Sequence, residues 1–156
     1  LETEFTAIVN KESDYKEIEE LLNSPNAIIA VTTGSNTDQA LSKMERDGEV
    51  KAEISRIHTV GDGVMAVITK RADAYVSTLD SLLDKVHSHP EELKTVEGNF
   101  GVSPLAIGVS KGDSEFVEAI NEAVANLIKN GEIDKLIEEY EILGNRSAEI
   151  PEEYKN

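Results

Sequence analysis

The residues best suited to bind a charged group are small polar residues that follow a short apolar run. Residues 27–31 (AIIAV) are β-branched and apolar, which is typical of a buried strand in a parallel sheet. In the turn that follows, Gly34 allows a sharp bend, and Ser35 and Asn36 open a segment with helical apolar spacing. A helix N-terminus carries partial positive charge and unpaired N–H groups, so it suits a carboxylate or a phosphate. The alternative is an ordinary strand-to-helix turn with a Ser or Asn cap.

Other chemistry is weakly represented in the sequence. It contains no cysteine, no G-x-S-x-G nucleophile motif, no G-x-G-x-x-G motif and no phosphate-binding P-loop. His87 and His89 beside Asp84 suggest a metal site, but we favour a polar helix end before a proline. We therefore predict no catalytic residues, no metal and no cofactor.

Composition excludes several classes of partner. The 156 residues include 15 basic and 31 acidic ones, a net charge of −16, which repels nucleic acid and anionic membranes. No apolar run approaches the roughly 20 residues that a transmembrane helix needs. The chain starts at Leu1 without a methionine or a signal-like segment, so we expect a processed or trimmed piece of a longer protein.

Strands and helices alternate over the first hundred residues and must position the turn. This alternation predicts an α/β fold with a parallel or mixed sheet flanked by helices, followed by a C-terminal helical segment. We expect the first helix to be capped by Ser13 and Asp14, and a late strand at residues 105–110 (LAIGVS). Predicted strands are residues 5–10, 27–31, 50–57, 72–76, 93–96 and 105–110, and two final helices are predicted at 113–129 and 133–143. Ligands bind such sheets beyond the carboxyl ends of the strands, where the turns 32–37, 59–63 and 77–80 would gather.

Three segments resemble a known family in order and spacing. They are residues 29–37 (IAVTTGSNT), 67–76 (VITKRADAYV), and a C-terminal run that begins with 105–113 (LAIGVSKGD) and continues through 131–136 (GEIDKL). They resemble the amino-acid-type, family 3 solute-binding proteins of ABC importers. The resemblance implies a type II periplasmic-binding-protein fold, in which two hinged lobes close on a ligand.

The resemblance also implies a division of the chain. Residues 5–100 would form the ligand-binding second lobe, 101–143 the strand and helices that return to the first lobe, and 144–156 a loose tail. The opening portion of the first lobe would be missing. The C-terminal helices would then expose apolar surface, and we expect them either to pack back on this lobe or to pair with another copy in a homodimer.

Part of the ligand site can be carried over from the family. The turn after the glycine binds the α-carboxylate of an amino acid in the family, and an aspartate at the end of a later strand holds the ammonium group. At that second position this chain has Thr78, with Asp80 two residues further on. The residues implied to bind ligand are Thr33, Gly34, Ser35, Asn36, Ser77, Thr78 and Asp80.

The leading hypothesis is the ligand-binding lobe of an extracytoplasmic receptor, located in the periplasm or on a cell-surface lipoprotein. It would deliver a small polar, carboxylate-bearing solute, an amino acid or similar, to the permease of an ABC importer. One alternative is a sensor domain without transport. The other is a dehydratase-like enzyme on the same fold, with His58 or Asp80 as the general acid or base.

Overall fold

The computed structural model describes residues 2–140. The described residues divide into two compact units, one formed by Thr3–Ser103 and the other by residues 104–140 together with Glu2.

The first unit is built on a mixed sheet. Its strands are β1 (Glu2–Asn10), β2 (Ile28–Thr32), β3 (Glu53–Ile57), β4 (Ala74–Thr78), β5 (Leu93–Thr95) and β6 (Val102–Pro104). The strand order is β3-β2-β4-β1-β5, and β6 pairs with β1. Strand β2 runs parallel to β3 and β4, whereas β1 is antiparallel to β4 and β5. The predicted α/β class is confirmed, and the sheet is mixed.

Helices alternate with these strands and cover both faces of the sheet. They are α1 (Ile18–Asn23), α2 (Asn36–Asp47), α3 (Val60–Ile68) and α4 (Leu79–Ser88). Val31 and Val76 belong to a buried cluster that includes Leu41 of α2. Ala30 and Tyr75, one residue earlier in each strand, belong to a second cluster with α3 and α4. Two-sided burial explains why β2 is a continuous apolar run rather than an alternating one.

The strand directions bring several turns to one edge of the sheet. Because β2, β3 and β4 are parallel, their carboxyl ends lie at the same edge, as the sequence predicted. The start of antiparallel β1 lies there too, since Phe5 is paired with Thr78. Helices α2, α3 and α4 all begin at this edge.

The second unit contains a helical pair, α5 (Ser114–Lys129) and α6 (Glu132–Tyr140). Asp113 caps α5 through its side chain, which accepts the N–H of Phe116 at 3.2 Å. Ile137 is buried against Ile128 and Ile133. Helix α5 has no buried residue, and the unit exposes several large apolar side chains: Leu105, Ile107, Val109, Phe116, Leu127 and Leu136.

Two local predictions are wrong. Residues 105–110 form no strand, and the short strand β6 lies just before them; Ile107 is 62% exposed. An apolar run becomes a strand only when a neighbour pairs with it, which the run itself does not reveal. Helix α1 begins at Ile18 rather than after Ser13 and Asp14, because Glu17 and Glu20 form its capping box.

The ends of the C-terminal predictions lie outside the described residues. Both late helices are confirmed within the described part of the chain. Residues 141–143 of the last one, and the tail 144–156, fall beyond it.

Candidate functional site

The turn between β2 and α2 is anchored to the neighbouring strand. Thr33 donates twice to the carbonyl oxygen of Ile57 at the end of β3, from its N–H at 2.9 Å and from Oγ1 at 2.9 Å. Gly34 has a φ of +75°, in the left-handed region that disfavours residues with a β-carbon. The predicted sharp bend at Gly34 is therefore present.

Ser35 is the N-cap of α2. Its Oγ accepts the N–H of Asp38 at 3.1 Å and lies 2.8 Å from Oγ1 of Thr37. The carboxylate of Asp38 folds back over the turn, and its Oδ2 accepts the N–H of Gly34 at 2.8 Å. Ser35 and Asp38 thus each accept a backbone N–H at the start of α2.

Some backbone N–H groups of this turn are used within the protein, and others are left to donate to a ligand. The N–H groups of Thr33, Gly34 and Ser35 are used internally, the last by the carbonyl oxygen of Thr32 at 3.2 Å. The N–H groups of Asn36 and Thr37 have no acceptor among residues 2–140. Two adjacent backbone donors at the positive end of a helix match the two oxygens of a carboxylate.

An arginine on β3 compensates the charge of Asp38. Arg56 Nε donates to Asp38 Oδ1 at 2.9 Å, and its Nη2 donates to Glu45 Oε2 at 2.7 Å and to Ser42 Oγ at 2.9 Å. The hydrogen bond to Glu45, helped by the charges of both carboxylates and opposed by partial burial, raises the pKa of Arg56. The network therefore keeps a fixed positive charge beside Asp38.

The second predicted group lies in the turn from β4 to α4. Ser77, Thr78 and Asp80 are all half-buried there. Thr78 is the N-cap residue of α4, but its side chain makes no capping hydrogen bond. Asp80 accepts a hydrogen bond from Oγ1 of Thr3, at the start of β1, at 2.5 Å.

The two predicted groups occupy adjacent turns. Because β2 and β4 are neighbours, with Val31 paired to Val76, the turns that follow them are next to each other on the same edge. Asn36 also reaches strand β6, where its Nδ2 is 3.4 Å from Ser103 Oγ. The seven residues thus lie in two neighbouring turns, and their role in binding stays a prediction.

The third turn at this edge follows β3. Thr59 caps α3, with its Oγ1 accepting the N–H of Asp62 at 3.1 Å and donating to Asp62 Oδ2 at 2.8 Å. His58 is exposed beside it.

Sequence reasoning missed Asp38 and Arg56. A serine at the N-cap with an acidic residue three positions later is a capping-box pattern, so Asp38 had a local signal. Arg56 had none, because its partners Asp38, Ser42 and Glu45 meet it only once β3 lies beside α2.

No metal centre is found in the described part of the chain. Residues 2–140 contain no group of three or more histidine, cysteine, aspartate or glutamate residues that could hold a metal ion. Within the same residues, no helix has the length and apolar character to cross a membrane.

Comparison with known proteins decides the family. A model of the bacterial extracellular solute-binding proteins, family 3, matches residues 3–143. The chain belongs to this family. Its fold is that of type II periplasmic binding proteins, as the solved structures of similar proteins show.

Three relatives illustrate the match between this family 3 chain and characterised proteins. An amino-acid-binding protein, AabA of Dichelobacter nodosus, is 27% identical over 136 residues, which are 86% of this chain and 52% of the relative. An ancestral arginine-binding protein bound to glutamine is 27% identical with a TM-score of 0.69, over 90% of this chain and 60% of that one. An ancestral amino acid-binding protein described as a precursor of cyclohexadienyl dehydratase is 26% identical with a TM-score of 0.67, over 90% and 57%. The chain thus spans between half and three fifths of the length of these relatives.

Proposed function

We propose that this chain is the ligand-binding lobe of an extracytoplasmic receptor that delivers an amino acid, or a similar small carboxylate, to an ABC importer. The observation that carries the proposal is the pair of unpartnered N–H groups on Asn36 and Thr37 at the N-terminus of α2. Membership of the solute-binding family supports it, as do relatives named as amino-acid-binding or arginine-binding proteins.

The ligand carboxylate is proposed to lie at the turn after β2. The N–H groups of Asn36 and Thr37 would donate to its oxygens, with the hydroxyl of Ser35 and the backbone of Gly34 close by. Thr33 is committed to Ile57 through both its donors and would support the turn rather than bind. Hydrogen bonds to an ionised group are about twice as strong as neutral ones, so two of them suffice to orient a small ligand.

The ligand ammonium group is proposed to lie at the turn after β4. Asp80 supplies the carboxylate that Thr78 lacks, and its bond to Thr3 holds it near the start of β1. Ser77 and Thr78 add hydroxyl oxygens to the same turn. Neighbouring strands lie about 4.8 Å apart, so adjacent turns can hold the two ends of one amino acid.

Some parts of the proposal apply to the whole protein and not to this chain alone. Because the chain covers 52–60% of its relatives, closure over the ligand, contact with a permease and an extracytoplasmic location are proposed for the protein as a whole. With one wall of the cleft, binding by this chain alone is expected to be weak. We propose transport rather than sensing, because the family is that of solute-binding proteins.

A homodimer is the second proposed interaction. Leu105, Ile107 and Val109 alternate along the chain and are 39–62% exposed, and Phe116 at the start of α5 is 54% exposed. An exposed apolar segment of this kind can pack against the same segment of a second copy. Mutual repulsion of chains with a charge of −16 opposes the pairing at low ionic strength.

An enzymatic role is the second candidate function, favoured by the relative described as a dehydratase precursor. It would require a general acid or base at the same edge, for which His58 and Asp80 are the candidates. Turnover of a small carboxylate that is lost in both His58→Gln and Asp80→Asn would establish it. We propose binding without catalysis, so no turnover is expected.

An amide NMR titration of the chain tests the main proposal. L-Glutamine, L-arginine and L-lysine are added at millimolar concentrations, with acetate as a minimal carboxylate. We expect saturable shifts of the amide signals of residues 34–37 with all four compounds, and of residues 77–80 with the three amino acids. The absence of saturable shifts with every compound would contradict the proposal for this chain.

A further inference from the structure

Asp38 differs from every other buried residue in the described chain. Among residues 2–140 it is the one buried residue that carries a charge, with 7% of the residue's surface exposed. A buried carboxylate costs free energy unless hydrogen bonds and an opposite charge compensate it. Asp38, in the first turn of α2, therefore needs hydrogen-bond donors for both of its carboxylate oxygens.

The two oxygens of Asp38 point to two different elements. Oδ2 accepts the N–H of Gly34, in the turn before α2, at 2.8 Å. Oδ1 accepts from Arg56 Nε on β3 at 2.9 Å, and Ser42 Oγ lies 3.4 Å from the same oxygen. Asp38 therefore ties the left-handed glycine of the turn to the neighbouring strand.

These contacts determine which donors the turn presents. Without Asp38, the N–H of Gly34 would have no acceptor and the left-handed conformation at Gly34 would lose its cross-link to α2. With Asp38 in place, Gly34 is held and the donors left over are those of Asn36 and Thr37. Arg56 offsets the charge of Asp38, so a carboxylate ligand need not approach an uncompensated anion.

We propose that Asp38 is a positioning residue for the ligand carboxylate. It holds the turn 33–37 through Gly34, and Arg56 neutralises its charge. The inference rests on the proposed function, because it assumes that the turn binds a carboxylate. Asp38 itself does not contact the ligand.

Two variants separate positioning from charge. Asp38→Ala removes both the acceptor for Gly34 and the negative charge, while Arg56 keeps its bonds to Glu45 and Ser42. Asp38→Asn removes the charge and the bond to Arg56 Nε, because its NH2 group would face Arg56, but its amide oxygen can still accept the N–H of Gly34. Ser42→Ala is the matched control, since Ser42 touches Asp38 and Arg56 but not the turn.

Binding of L-glutamine and of acetate is measured by amide NMR titration on all four proteins. We expect Asp38→Ala to bind both probes about tenfold more weakly, and Asp38→Asn and Ser42→Ala to stay within about threefold of the unsubstituted chain. Hydrogen exchange of the Gly34 amide provides a second readout without ligand. It should accelerate in Asp38→Ala and stay slow in Asp38→Asn.

Each outcome has a distinct meaning. If the unsubstituted chain binds neither probe, the proposed function fails and the inference fails with it. If the unsubstituted chain binds but Asp38→Ala binds as well or better, the proposed function stands and the positioning role is overturned. Equal weakening in Asp38→Ala and Asp38→Asn would assign the effect to charge, and unchanged exchange at Gly34 would show that Asp38 does not hold the turn; both would overturn the inference.

Discussion

The aromatic ring of Tyr75 lies directly against Gly63, at a spacing that leaves no room for a β-carbon on that glycine. The phenolic oxygen of the same ring is 2.9 Å from Oγ1 of Thr32, the last residue of β2. One side chain thus sets how closely α3 approaches the sheet and supports the strand that leads into the candidate site.

Gly63→Ala is expected to destabilise the protein because the added methyl group would overlap Tyr75 and the Cδ1 atom of Ile57. Overpacking of this kind typically costs about 2 kcal/mol. Urea unfolding followed by circular dichroism measures the change. Gly61→Ala is the control in the same helix, since its β-carbon would meet only Thr59 Oγ1 at 3.7 Å. It should be neutral or slightly stabilising, and an equal loss in both variants would refute the packing argument.

Gly34→Ala separates backbone strain from binding. Gly34 and Gly48 both have a φ of +75° and open space where a β-carbon would lie, so alanine at either position meets strain but no clash. Each substitution should lower the free energy of unfolding by about 1 kcal/mol. Gly48 is the C-cap of α2, far along the helix from the turn, so only Gly34→Ala should also weaken L-glutamine binding. Equal binding by the two variants would argue against a ligand at this turn.

The fold could largely be predicted because its signals are local. Alternating strands and helices, a glycine between β2 and α2, and Ser35 as cap each depend on a few consecutive residues. The parallel arrangement of β2, β3 and β4 then follows from the helical crossovers between them. This reasoning brings the turns of the candidate site to one edge without knowledge of any contact.

What could not be predicted depends on distant partners. Residues 105–110 have the composition of a strand, but a strand is defined by the neighbour that pairs with it. Arg56 lies 18 residues from Asp38 in sequence, and their ion pair exists only because β3 lies beside α2. Likewise, Asp80 meets Thr3 across 77 residues. Such contacts decide which candidate donors are free. Candidate residues could therefore be named from the sequence, but their hydrogen-bond partners could not.

Lys70 gives a prediction on stability and one on protonation. It has a φ of 56°, in the left-handed region, just after α3. Lys70→Gly should relieve about 1 kcal/mol of backbone strain and raise the free energy of unfolding, because the ion pair that it loses is solvent-exposed. Lys70→Gln keeps the strain and loses the same ion pair, so it is the control and should gain nothing.

The pKa of Glu12, the ion-pair partner of Lys70, depends directly on the ion pair. The hydrogen bond from Lys70, followed by its charge, lowers the pKa of Glu12 below its ordinary value of 4.5. Since the folded-state pKa is the lower one, the stabilisation is present above pH 4.5 and is lost as the pH falls through the folded-state pKa. NMR titration of the Glu12 carboxyl should show its pKa rising in both Lys70 variants, and an unchanged value would mean that the pair does not form in solution.

The exposed apolar residues of the second unit predict self-association. Light scattering should show a mass that rises from 17.0 kDa towards twice that value with protein concentration, and more steeply at high salt, because salt screens the repulsion between acidic chains. Ile107→Gln should reduce the effect. Met65→Gln, which changes an exposed apolar residue of the first unit, is the control and should not. A monomer at every concentration and salt level would exclude the dimer.

Asp80 gives the sharpest test of how the ligand is oriented. If its carboxylate holds the ammonium group, Asp80→Asn should weaken L-glutamine binding about tenfold, because a hydrogen bond between charged groups contributes roughly 1.5–3 kcal/mol. The analogue of glutamine without the α-amino group should bind the variant and the unsubstituted chain equally. Asp84→Asn makes the same charge change on α4, where Asp84 pairs with Lys85 at the surface, and should leave both affinities unchanged. If Asp80→Asn weakened the binding of both ligands equally, Asp80 would support the turn through Thr3 and would not bind the amino group.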